Sequence, residues 1–224
     1  MKYLISQSHI KNNDEIYDDL DIKYQNYFSN YNIDLIPIKN SKNIKQSNIE
    51  KYLDRADSFD GIILSGSGDI DLTQYNLPDN KSTKFSEDRD LIESKLIDLA
   101  LSETKPIIGI CHGMQKINQY FNGKIHPYYH CRKETYSEQG IEHQIIGTDE
   151  LIGLKSKYKV NQYHDHCILE DDLSNDLKCF ALDPRFQTVE GFYNQKMNIV
   201  GMQWHPERKI SDKNITSKIL NQFI

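Results

Sequence analysis

The sequence predicts an α/β protein with a mainly parallel sheet, helices on both faces and a few added antiparallel strands. Two Ile-rich runs, Phe59–Leu64 and Pro106–Ile110, are too short and too β-branched for helices and read as buried central strands. Each is followed by a stretch of helical period, Asp88–Glu103 after the first and His112–Phe121 directly after the second. Strands alternating with helices imply βαβ units and a parallel sheet covered on both sides.

In chain order, Lys2–Gln7 is the first β-prone run and Asp34–Ile38 the next. Between them Leu20, Tyr24, Tyr27, Phe28 and Tyr31 recur at helical steps, giving strand, helix, strand. Ser47 followed by Glu50 makes a capping-box pattern for a second helix, with Ile49, Tyr52 and Leu53 on its apolar side. After the Phe59–Leu64 strand, Ser65-Gly66-Ser67-Gly68-Asp69 breaks all periodicity with residues that tolerate unusual backbone angles. Leu91, Ile92, Lys95, Leu96, Leu99 and Ala100 then restore the helical period. The second half changes texture. Short β-prone pieces at Lys157–Val160, Cys179–Leu182, Thr188–Tyr193 and Asn198–Trp204 read as antiparallel additions, and a last helix over Ser211–Phe223 carries Ile215, Ile219, Leu220 and Phe223 on one face. With no repeat and no long linker, residues 1–224 are expected to form one domain.

Composition narrows the function. The 224 residues are 38% hydrophobic, enough for a core, and no apolar run approaches the length of a membrane span or a secretory leader. A cytoplasmic protein without membrane contact is expected. The net charge of −6 removes the basic field that gathers phosphates, so nucleic acid is not an expected partner. Four cysteines in a chain this long do not make a disulfide scaffold, so reduced thiols are expected.

One of those thiols sits in Gly109-Ile110-Cys111-His112-Gly113-Met114-Gln115, where a strand stops and a helix starts. Small residues two before and two after Cys111 suit a sharp turn that lifts its sulfur above the sheet. The helix N-terminus there favours a thiolate, and the N–H of His112 can donate to an oxyanion. Taken alone, Cys111 fits equally a small buried residue between two elements. A second segment, Gln203-Trp204-His205-Pro206-Glu207, supplies an imidazole for the thiol and a carboxylate on the same side of an extended chain to orient it. His205 in isolation is a solvated loop histidine.

His126, His130-Cys131 and His164-Asp165-His166-Cys167 cluster ligand types without the spacing of a zinc site, and neither metal nor cofactor is expected. The run Glu170-Asp171-Asp172 reads as a solvated turn, and Tyr128-Tyr129 with Arg132-Lys133 as a loop placed to meet a leaving group.

The G-x-C-x-G-x-Q at Gly109–Gln115, with the H-P-E at His205–Glu207, resembles the class I glutamine amidotransferase-like superfamily. Four stretches are similar to its gamma-glutamyl-gamma-aminobutyrate hydrolase (peptidase C26) branch: Asp60–Asp69, Asp88-Arg89-Asp90, Val160–His164 and Val200–Trp204. The resemblance implies a flavodoxin-like sheet, Cys111 as nucleophile, His205 as general base and acid, and Glu207 as its orienting partner. It implies a second oxyanion donor from the loop at Gly66 and Ser67, opposite His112. Many relatives carry Gly where Ser67 stands, which bears on the conformation of that loop. Gln115 and His164 fall at positions that line a γ-glutamyl pocket; read locally, Gln115 is a first-turn helix residue and His164 a structural hydrogen-bonder.

The implied activity is hydrolysis of a γ-glutamyl amide through a thioester, releasing glutamate. The leaving group is γ-aminobutyrate, a polyamine-derived amine or a nucleotide-linked phosphoramidate. Leu4–Ser8 and Asp18–Asp21 look like the γ-glutamyl-CDP-amidate hydrolases of bacterial capsule synthesis. The alternative is a glutaminase subunit that passes ammonia to a separate synthetase, since the expected elements leave no room for a fused one. A homodimer fits either reading, and the intact Cys, His and Glu argue against a non-catalytic module.

Overall fold

Side-chain alternation along the central strands divides the apolar residues between two cores. In the computed structural model, which describes residues 1–12, 15–41, 58–75, 85–127, 140–149, 153–154 and 156–224, Tyr3, Ile5, Ile63, Ile108 and Ile110 face one core. Leu4, Ile62, Leu64 and Ile107 face the other, as the period of two in a strand requires.

The strands are β1 (Lys2–Ser6), β2 (Ser8–Asn12), β3 (Glu15–Asp19), β4 (Asp34–Ile38), β5 (Gly61–Leu64), β6 (Ile107–Ile110), β7 (His126–Pro127), β8 (Glu142–Gly147), β9 (Lys157–Asn161), β10 (His166–Cys167), β11 (Lys178–Asp183), β12 (Thr188–Asn194) and β13 (Ile199–Met202). The α-helices among the described residues are α1 (Ile22–Phe28), α2 (Glu87–Ser102), α3 (His112–Tyr120) and α4 (Asn214–Leu220). The main sheet runs β4-β1-β5-β6-β13-β12-β11-β8-β9. Its first five strands are parallel, in the flavodoxin-like order. The last four continue it antiparallel. Tyr24 and Phe28 of α1 and Ile215, Ile219 and Leu220 of α4 cover the first face. Ile92, Leu96 and Ile97 of α2 and Met114 and Ile117 of α3 cover the second. Among the described residues no helix is long and apolar enough to cross a membrane.

Most predicted elements within the described residues stand where expected. β13 belongs to the parallel half through its pairing with β6 and is antiparallel only to β12, so the Asn198–Trp204 run joins the two halves of the sheet. The polar ribbon of β2 and β3 and the strand β8 had no counterpart in the sequence reading. β3 is exposed along its whole length and carries no buried face for alternation to betray. The capping-box helix expected at Ser47–Leu53 lies outside the described residues.

α3 lies against the back of β5 and β6, and two glycines permit the approach. A Cβ on Gly113 would fall 2.1 Å from the Leu64 carbonyl oxygen, and one on Gly109 would fall 2.8 Å from the Gly113 backbone. Gly113→Ala should therefore destabilise the protein by about 1–3 kcal/mol in urea unfolding, because the helix must move off the strand. An increase in stability, the usual effect of Ala for Gly within a helix, would show that this packing does not constrain α3.

Candidate active site

β6 and β13 bring the two predicted segments to the same end of the sheet. Ile110 pairs with Met202, and the Cys111 N–H donates to the Met202 carbonyl at 2.8 Å. The chain then enters α3 within one residue, with Cys111 at φ 52° and ψ −105°. A non-glycine residue at such angles is strained, and strain of this kind is held in place only by surrounding packing.

His205 follows β13 and meets that turn. Its ring lines the same cleft as Cys111, and its Nδ1 lies 2.6 Å from Glu207 Oε1. All three residues are buried. Asn161, at the end of β9, fixes the His205 backbone from both sides: its Oδ1 accepts the His205 N–H at 2.9 Å, and its Nδ2 donates to the His205 carbonyl at 2.8 Å. Tyr163 packs edge-on against the imidazole at 5.4 Å, and Arg208 stacks over Tyr163 at 4.4 Å. Arg208 Nε also lies 3.6 Å from Glu207 Oε1.

Burial alone would lower the affinity of His205 for a proton. The Cys111 sulfur and the Glu207 carboxylate outweigh it and push the imidazole up to about 10. Burial pushes the Cys179 thiol up to about 12, which leaves it a poor nucleophile. Cys111 and Cys179 are free thiols. Cys167 is disulfide-bonded, which corrects the expectation of four reduced cysteines.

The loop after β5 forms the opposite wall. A Cβ on Gly66 would sit 2.3 Å from His205 Cε1, so glycine lets the loop close on the imidazole. The Gly66 N–H donates to the Tyr24 hydroxyl at 2.8 Å. Among the described residues the N–H groups of Ser67 and Gly68 meet no acceptor. Ser67 adopts φ 77° and Gly68 φ 79°. The residue that replaces the glycine of many relatives thus takes the left-handed conformation glycine would supply. At the start of α3 the His112 N–H has no intrahelical acceptor.

Gln115 and His164 line the cleft that contains Cys111 and His205. Both also serve structural bonds: Gln115 Nε2 donates to the His166 carbonyl and to Gln203 Oε1, each at 3.2 Å, and His164 Nδ1 donates to the His166 carbonyl at 2.8 Å. A second cleft on the far side of the Ser65–Ser67 loop shares Ser67, His205 and Arg208 and adds Ser8, Asp19 and Asp21. The sequence reading missed it because it depends on the β2–β3 ribbon.

Among the described residues, those near His126 and His164 form no group of three ligand atoms. His126 pairs with Asp172 at 2.7 Å, while His130, Cys131, Tyr128-Tyr129 and Arg132-Lys133 lie outside the described residues. Glu170–Asp172 forms a 3-10 turn. A different buried group, His143, Asp183 and Glu190, brings its ligand atoms within 4.8 Å of one another. Arg185 already holds both Asp183 oxygens, through Nε at 3.1 Å and Nη2 at 2.7 Å, and supplies the positive charge that a buried carboxylate requires.

The His205 shift carries a consequence for stability. Its folded value lies above the ordinary imidazole value, so the stabilisation is complete below about pH 6.5 and is lost as pH rises through about 10. The urea midpoint of the wild type should fall across that window. It should fall less in Cys111→Ala, which removes one of the groups that hold the proton; equal slopes would show that Cys111 and His205 are not coupled.

Comparisons with known proteins agree with the fold. The peptidase C26 family profile matches residues 33–207. The gamma-glutamyl-CDP-amidate hydrolase of Campylobacter jejuni is 34% identical over 69% of this chain, and the match spans 65% of that relative, less than two thirds of its length. The glutamine amidotransferase-like protein YvdE of Lactococcus lactis is 29% identical over 80% of this chain and 78% of its own. The glutaminase domain of Trypanosoma brucei CTPS, solved with bound acivicin, superposes with a TM-score of 0.65 at 11% identity, over 99% of this chain and 91% of that one, a likeness of fold. By its sequence from residue 33 to 207, this chain belongs to the peptidase C26 family.

Proposed function

We propose that the protein is a hydrolase of γ-glutamyl amides that works through a thioester on Cys111. The observation that carries this reading is the strained turn of Cys111 at φ 52°, on one cleft with an imidazole that Glu207 holds from behind at 2.6 Å. His205 takes the Cys111 thiol proton as the sulfur engages the substrate. The sulfur attacks the γ-carbonyl carbon, and the carbonyl electrons move to its oxygen, facing the N–H groups of His112 and Ser67. Collapse of that oxyanion breaks the C–N bond as His205 gives its proton to the leaving nitrogen. Water then attacks the thioester, His205 takes a proton from it, glutamate departs and the sulfur is restored with its proton partner.

In this reading Gln115 and His164 hold the glutamyl group, which is compatible with the bonds they already make. The substrate named for the Campylobacter jejuni relative, a γ-glutamyl-CDP-amidate, is the first candidate here, with CDP-linked phosphoramidate as leaving group and capsule synthesis as the setting. Residues 1–224 act as one domain.

Steady-state glutamate release should be measured on γ-glutamyl-CDP-amidate, γ-glutamyl-γ-aminobutyrate, a γ-glutamyl polyamine and free glutamine. The reading expects turnover of the first with poor hydrolysis of glutamine. Turnover of γ-glutamyl-γ-aminobutyrate in preference would reassign the leaving group, and activity only beside a synthetase would make the protein a glutaminase subunit. Cys111→Ala should lower kcat by about 10⁴-fold or more. Substantial residual turnover would remove the thioester mechanism.

A further inference from the structure

α2 carries a buried ion pair away from the reacting atoms. Arg89 is 3% exposed and Glu93 is 0% exposed, on a helix face that is otherwise Ile92, Leu96, Ile97 and Ala100. Three successive carbonyls converge on the Arg89 guanidinium: Ser65 at 2.7 Å, Gly66 at 3.4 Å and Ser67 at 2.6 Å. Its Nε donates to Glu93 Oε1 at 2.9 Å. In a trans peptide the C=O and the following N–H point in opposite directions. Drawing the Gly66 and Ser67 carbonyls onto Arg89 therefore turns the N–H groups of Ser67 and Gly68 away from it. Both of those residues line the Cys111 cleft. The clamp also holds Ser67 at φ 77°, a conformation its side chain disfavours.

The same carboxylate reaches the other wall of the cleft. Glu93 Oε2 accepts from His112 Nε2 at 2.9 Å, and His112 is the residue whose own N–H opens α3. Ser6 Oγ donates to Glu93 Oε1 at 2.7 Å and accepts the Ser65 N–H at 2.9 Å. One buried ion pair thus ties the loop after β5 and the first residue of α3 to a single point.

We infer that Arg89 and Glu93 are positioning residues that hold the His112 N–H and the Ser67 and Gly68 N–H groups at the separation an oxyanion needs. The inference rests on the thioester reading of Cys111. Neither residue touches substrate; both act through the backbone of the residues that do.

The test compares Arg89→Lys, Arg89→Met and Glu93→Gln with the wild type by three readouts, beside Cys111→Ala as control. These are kcat and KM for the best γ-glutamyl substrate, the rate of Cys111 alkylation by iodoacetamide, and the affinity of a γ-glutamyl aldehyde. Alkylation forms no oxyanion, whereas the aldehyde forms a thiohemiacetal whose oxygen enters the proposed hole. Arg89→Met should lose about 10²-fold in kcat with little change in KM, and the aldehyde affinity should fall by a similar factor. Alkylation should stay within about twofold of wild type. Arg89→Lys keeps the buried charge but cannot span three carbonyls, so it should fold and lose about 10-fold in kcat; it decides the matter if the Met variant does not fold.

Unchanged kcat in folded Arg89→Lys would overturn the inference, as would alkylation falling in step with turnover, the mark of a general structural role. If Cys111→Ala turned over like the wild type, the thioester reading itself would fail. A dead Cys111→Ala beside a fully active Arg89→Lys would sink only the positioning role.

Discussion

Between β6 and α3 the chain has one residue in which to reverse, and that residue is Cys111. The turn fixes φ at 52°, and much of the site can be traced to what keeps it there. The Cys111 N–H is tied to β13 through Met202, and the glycines at 109 and 113 let α3 lie directly on β5 and β6. Because β13 is both the partner of that turn and the strand that leads to His205, the imidazole reaches the sulfur with no long connection between them. The strained angle is a local cost of about 1–3 kcal/mol, offset by the packing of the sheet and helix it joins.

Two buried ion pairs complete the arrangement on either side of the sulfur. His205 with Glu207 stands on the β13 side, and Arg89 with Glu93 stands behind the loop after β5. Burial pushes the Glu93 carboxyl up, but the Arg89 charge and the hydrogen bonds from His112 and Ser6 outweigh it and hold it well below the usual carboxylate range. Burial and the Arg89 charge, against the pull of Glu93, lower the His112 imidazole, so it stays neutral and donates Nε2–H to Glu93. Such pairs add little net stability for the desolvation they require, but losing one partner is costly. Their effect here is on geometry, since each holds backbone or ring atoms that face the cleft.

What the sequence disclosed follows from how local each constraint is. The Gly-x-Cys-x-Gly turn is legible because its sterics involve neighbours in the chain. His205 and Glu207 are legible from their spacing, but Pro206 and Glu207 form a turn closed by the Arg208 N–H on the His205 carbonyl at 3.2 Å, where an extended segment was expected. The central strands were legible from their Ile-rich runs, since strands buried on both faces need no alternation. The clamp on the loop after β5 was not: Arg89 and Glu93 look like ordinary charged helix residues, and only the fold brings the carbonyls of Ser65–Ser67 onto them. The β2–β3 ribbon escaped notice because polar, exposed strands carry no hydrophobic period. The role of β13 as the joint between parallel and antiparallel halves depends on pairing partners distant in sequence.

The central claim is that the Cys111 sulfur becomes acylated by the γ-glutamyl group. Mass spectrometry of acid-quenched enzyme, taken during turnover of the best γ-glutamyl substrate, reads this directly. The account predicts a γ-glutamyl adduct on the peptide that contains Cys111, discharged by hydroxylamine and missing from Cys111→Ala. Full turnover with an unmodified Cys111 under conditions that slow deacylation, or an adduct on another residue, would contradict it.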